Sequence, residues 1–201
     1  MSLDVTLPSE WWHLGAPIED PQAIIAAHLA TSGATSAAQE RLRHGLSAVL
    51  DYTHRLGDGR RTSFALVRDV ERGQVEALLS ARITRVSVDF AEKYHAALVE
   101  ATVPDGVEVV NQRIERATLP TGEAIVVHHF VLPLDDAGPM VPAMERCVVA
   151  LFPPAPEPTM VEFLFATQNL ALFPDLVDYA LAVVSGDNPG VPASFELEAA
   201  S

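Results

Sequence analysis

The sequence has almost no cysteine, almost no positive charge in its last third, and no apolar run long enough to cross a membrane. One cysteine among 201 residues cannot close a disulfide within the chain. The core must therefore hold itself, and a chain of this length buries roughly 70% of the surface its unfolded form exposes. Cys147 stands in the run Cys147-Val148-Val149-Ala150-Leu151-Phe152, where it reads as a small buried hydrophobe rather than a reactive thiol. A reducing compartment is the expectation. Residues 1–8 carry neither a basic leader nor an apolar signal core, and no segment offers about 18 apolar residues in a row. We expect a cytoplasmic protein that does not enter a membrane.

Positive charge is scarce where it would matter for nucleic acid. The net charge is −14, and residues 117–201 carry eleven acids against one base, Arg146. Residues 1–39 add four acids and no base, while 40–116 balance twelve against twelve. Phosphate binding through counterion release needs clustered Lys and Arg, so nucleic acid and anionic lipid are excluded as partners and a basic protein surface is favoured. The one local basic cluster, Arg55, Arg60 and Arg61, reads as a solvated complement to a helix C-terminus.

Catalytic signatures are missing as well. The chain contains no Gly-x-x-x-x-Gly-Lys, Gly-x-Gly-x-x-Gly, Gly-x-Ser-x-Gly, Cys-x-x-Cys or His-Glu-x-x-His, which removes the common phosphate loops, nucleophile elbows and zinc sites. No catalytic residue, metal ligand or cofactor is assigned.

What is present is patterning. Leu3 to Leu7 alternates with period two, Pro8-Ser9-Glu10 interrupts it, and Trp11-Trp12-His13-Leu14 resumes it, which predicts a first strand in two pieces. Pro21 opens a short helix that closes near Gly33. Ser36 is expected to cap a longer one reaching Leu56, with Leu42, Leu46, Val49, Leu50, Thr53 and Leu56 along one face and Gly57-Asp58-Gly59 as its stop. Residues 62–70 and 75–88 read as a hairpin, although Leu78-Leu79 leaves a helical continuation open. A further helix is expected over 89–100, ended by Pro104-Asp105-Gly106. Four strand-like runs follow, at 107–119, 123–132, 145–152 and 159–168, and then a helix through about Ser185.

Ala124, Val126, Phe130 and Leu132 alternate with Ile125, Val127 and Val131, so this strand is apolar on both faces and needs a layer on each side. Connections in this half are too short for crossover helices, which makes the sheet antiparallel. The expected fold is α+β, a three-layer α/β/α sandwich on a mainly antiparallel sheet of about six to seven strands. Residues 1–188 are taken as one domain and 189–201 as a mobile tail.

The order of elements resembles the PsbP-like fold of extrinsic photosystem subunits and a Ran-binding import factor. The resemblance lies in the opening Leu7-Pro8-Ser9-Glu10-Trp11-Trp12, the paired strands around Leu119-Pro120-Thr121-Gly122-Glu123-Ala124, and the closing strand and helix. The Leu-Pro-x-x-Trp-Trp opening is also similar to that of small proteins of high-GC Gram-positive bacteria. The resemblance implies a domain that acts by binding other proteins, with no catalytic residue carried over. The long helices before the second strand pair depart from the photosynthetic version.

Candidate site residues follow from geometry. Neighbours on a strand face opposite ways, so Trp11 and Trp12 cannot share one core, and tryptophan is a common binding anchor. His128 and His129 likewise cannot chelate one ion, and one of them is expected inside. Cys147 could meet a histidine only if their strands were neighbours. Glu40, His44, Asp51 and His54 share a helix face, but its ends lie about 21 Å apart, too far for one ion. The reading is a non-enzymatic binding module for a protein partner, with Trp11, Trp12 and His129 as binding residues. The alternative is a small-ligand binder or hydrolase whose pocket lies between sheet and helices and uses His129 with a nearby carboxylate.

Overall fold

The computed structural model describes residues 2–15, 20–56, 61–101, 107–133, 143–186 and 193–198. The expected stop at 57–59 and the turn at 104–106 lie outside these residues. Strands β1 (Ser2–Leu7), β2 (Trp11–His13), β3 (Thr62–Leu66), β4 (Ala77–Arg85), β5 (Val107–Leu119), β6 (Gly122–Pro133), β7 (Met144–Phe152), β8 (Thr159–Thr167) and β9 (Ala193–Glu198) alternate with helices α1 (Pro21–Thr31), α2 (Ser36–Arg55), α3 (Phe90–Glu100) and α4 (Leu176–Ser185). Seven strands form one sheet in the order β2-β3-β4-β8-β7-β6-β5. Every pairing in it is antiparallel.

The first strand does come in two pieces, but they belong to different sheets. Trp11 N donates to Pro8 O at 3.0 Å, turning the chain so that β1 pairs with β9 while β2 joins the edge of the main sheet. The stretch read as a tail therefore contains β9.

β8 sits in the middle and has no exposed residue. Its odd residues, Val161, Phe163 and Phe165, join Phe64, Leu79, Val149 and Leu151 in a cluster with Leu176, Ala180, Val183 and Val184 of α4. Its even residues face the other way. Ala166 packs with Ala65, Leu78 and Met144 beneath Leu29 of α1 and Leu42, Leu46 and Val49 of α2. Met160 packs with Ile125 and Ala150 against the half-buried Phe90, Tyr94 and Leu98 of α3. Helices on both faces of one antiparallel sheet make the three-layer α/β/α sandwich that the doubly apolar strands require.

Local chemistry places the helix ends. Asp20 accepts from Gln22 N at 3.0 Å and Ala23 N at 3.3 Å ahead of Pro21. The cap of α2 is Thr35, whose side chain accepts from Ala38 N at 3.4 Å, one residue before the expected Ser36. Both residues are good caps, and the hydroxyl three residues ahead of the first buried N–H takes the role. Asp175 caps α4 through Val177 N and Asp178 N, and Gly186 closes it in the left-handed conformation at φ 79°.

β5 is the outer strand opposite β2. Its register with β6 shifts between Val110 and Arg113, and Asn111 takes φ 53°. Such a bulge, with the charged Glu108, Arg113, Glu115 and Arg116, blunts an edge that would otherwise invite strand addition.

The β5–β6 hairpin turns on Gly122, at φ 141°, against the start of the chain leaving β7. A Cβ there would meet the carbonyl of Phe152 and come within 2.9 Å of Pro153 Cα. Both are backbone and cannot step aside. Gly122→Ala is expected to cost about 2 kcal/mol of stability, read as a lowered urea midpoint at unchanged slope.

Candidate ligand cavity beneath helix α2

The buried stripe of α2 is Ala38, Leu42, Leu46, Val49 and Thr53. Beside it runs a second stripe, Gly45, Ala48, Tyr52 and Arg55, at three- and four-residue spacing, with no bulk before Tyr52. Gly45 is demanded by close approach, since a Cβ would stand 2.9 Å from Val75 Cγ2. The small residues hold α2 above the ends of β4, β7 and β8 without filling the space. A cavity of about 380 Å³ results, lined by that stripe, Val49, residues 75–78, Met144 and residues 166–168. Its floor is apolar, made by Leu78, Met144 and Ala166. The volume lies near the lower end of the range of small-molecule sites, about 300–1,000 Å³.

Two polar groups at the wall are already engaged. Glu76 Oε2 is 2.7 Å from Arg68 Nε, and the Thr167 hydroxyl donates to Glu76 O at 2.7 Å.

The sequence-selected residues lie elsewhere. Trp11 is 2% exposed; its indole N–H donates to the Tyr179 hydroxyl at 2.7 Å and its ring stands edge-on to Phe165 at 6.4 Å. Trp12 faces the opposite layer, as a strand neighbour must, and is half-buried with its ring stacked on His28 at 5.0 Å. His28 Nε2–H in turn donates to His13 O at 2.7 Å.

His129 belongs to the same sheet face as the cavity floor. Leu78, Ala166, Arg146 and His129 form one row across β4, β8, β7 and β6. Two strand spacings separate Ala166 from His129, about 10 Å. Burial, then the charges of Arg146 and His128, push the His129 imidazole down from 6.5 to about 4. It is neutral and a poor base near pH 7. The carboxylate a hydrolase would need is paired to the other histidine, because Glu145 Oε1 lies 2.9 Å from His128 Nε2 on the α4 face.

Cys147 stands directly opposite His128 across β6 and β7. It is fully buried, and burial pushes its thiol up to about 12, so no thiolate forms near neutrality. Glu40, His44, Asp51 and His54 are all exposed. Among the described residues no three of His, Cys, Asp and Glu come together to hold a metal ion.

One buried constellation was missed in the sequence. Glu162, on the central strand, takes Arg61 Nη2 on Oε1 and Arg82 Nη2 on Oε2, the latter at 3.0 Å. Arg61 is 7% exposed, which corrects its assignment to a solvated cluster: the core supplies a carboxylate that a helix terminus does not. Ser63 donates to Thr53 Oγ1 at 3.0 Å beside it. Burial and the charge of Glu162 raise the Tyr94 phenol to about 12. The available signal was one glutamate in the otherwise apolar run Met160-Val161-Glu162-Phe163-Leu164-Phe165, since a charge in a buried strand demands a partner.

Compared with models of protein families, with curated proteins and with solved structures, the chain matches none. No described helix is long and apolar enough to cross a membrane.

Three consequences are measurable. Because the folded state holds His129 near 4 and the unfolded chain near 6.5, the unfolded state binds more protons between those values. Stability is therefore expected to fall as pH drops from 6.5 to 4, more steeply in the wild type than in His129→Gln, with an NMR midpoint for His129 near 4. Arg61→Met leaves a buried carboxylate oxygen unpaired and is expected to cost about 3 kcal/mol in denaturant melts. Arg85→Ala, which removes an ion pair to Glu157 exposed on both sides, is expected to cost under about 0.5 kcal/mol.

Proposed function

We propose that the protein is a non-enzymatic binding module that holds a small, compact, largely apolar molecule in the cavity beneath α2. The observation that carries this is the cavity itself, about 380 Å³ between a helix and a sheet face and walled by small side chains. The space opens to solvent beside the exposed Ala48, Arg55 and Gln168, so a molecule can enter it and lie on the apolar floor without rearranging the core. Its lining contains no serine, cysteine or histidine, and its threonine hydroxyl is committed to a backbone carbonyl. Binding is thus better supported than hydrolysis.

A protein partner recognised at the tryptophan end has less to hold. Trp11 is inside the core, and Trp12 spends one ring face on His28. The PsbP-like resemblance adds the expectation of binding without naming a ligand.

The test is two-dimensional NMR of the whole chain with 1-octanol, octanoate and cyclohexylmethanol, beside the variant Ala48→Phe. Ala48 lines the cavity from an exposed helix position, so the larger ring can occupy the space without entering the core. Shift changes are expected to cluster at residues 45–55, 75–78 and 166–168 and to vanish in Ala48→Phe. Absence of binding by all three compounds, or binding undiminished in the variant, overturns the reading.

A further inference from the structure

We infer that the ligand carries one anionic group, a carboxylate on an apolar body, and that Arg55 anchors it; this rests on the cavity reading above. Two charged residues line the space, Arg55 and Glu76. Glu76 is satisfied, with its carboxylate 2.7 Å from Arg68 Nε and its side chain only 15% exposed. Arg55 has no carboxylate within 4.0 Å among the described residues and is exposed at the cavity wall. Among the described residues, the one uncommitted charge at the site is therefore positive, in a chain whose net charge is −14.

The neutral polar groups agree with this. The Tyr52 hydroxyl stands one helical turn before Arg55, and Gln168 follows the end of β8 on the same lining. A phenol and an amide can both donate, and a guanidinium presents two parallel N–H groups that match the two oxygens of a carboxylate. The apolar remainder of the ligand would lie on Val49, Leu78, Met144 and Ala166.

The charge count selects a monoanion. A phosphate dianion would set two charges against a single cation, within a strongly acidic protein whose field reaches about 8 Å at physiological salt. The carbonyl end of α2 also lies here and works against any anion. Recognition must then come from direct, paired hydrogen bonds to Arg55 rather than from long-range attraction.

Isothermal titration of the whole chain with octanoate and with 1-octanol, on the wild type, Arg55→Gln and Arg55→Lys, tests this. Octanoate is expected to bind wild type about tenfold or more tighter than octanol. Arg55→Gln should remove that difference by weakening octanoate alone, and Arg55→Lys should restore part of it. Melting curves of the same samples show whether each variant is folded; an exposed helix residue is not expected to change them. Octanol binding as tightly as octanoate, or octanoate binding unchanged in Arg55→Gln, overturns the anionic ligand while the cavity reading stands. Failure of both compounds to bind wild type overturns both.

Discussion

A central strand with no exposed residue has to be covered twice, and the rest of this structure follows from that requirement. All nine residues of β8 are buried, so its two faces recruit separate layers. The odd face takes α4 and the bulk of Phe163 and Phe165. The even face is shared by α1 and α2 at one end and α3 at the other. Because β8 also carries Glu162, the covered strand imports a charge, and two arginines from neighbouring parts of the sheet, Arg61 and Arg82, must follow it inside. Removing an ion from water costs several kcal/mol, so the three residues stand or fall together.

The cavity is a by-product of how the even face is closed. α2 meets the sheet with a full aliphatic stripe, but its adjacent stripe begins with Gly45 and Ala48, and the opposing β8 offers only Ala166. Small residues on both sides leave a gap that neither side fills. On the reading proposed above, its polarity is set by a neighbour outside it, since Arg68 pairs with Glu76 while, among the described residues, no carboxylate pairs with Arg55.

Much of the fold was legible because its signals are local. The apolar face of α2, the doubly apolar β6 and the tight Pro120-Thr121 connection each lie within a single element or turn, and period and turn chemistry are readable at that range. Neighbouring tryptophans and histidines were rightly sent to opposite faces by the same logic. The site was less legible. Trp11 looked like a contact residue because a sequence shows an aromatic but not the Tyr179 hydroxyl that receives its N–H, 168 residues away. Arg61 looked solvated because its partner lies 101 residues along the chain.

The sequence by itself determined which residues share a face, where the described helices begin to within a residue or so, and that the sheet must be antiparallel, since these depend on backbone geometry and side-chain period over a few turns. Only the tertiary structure decided which charge meets which, giving Glu145 to His128 and Glu162 to two arginines. It also decided that a space remains beneath α2. Partnership and emptiness arise from strands and helices distant in sequence coming into register, and no local period records them.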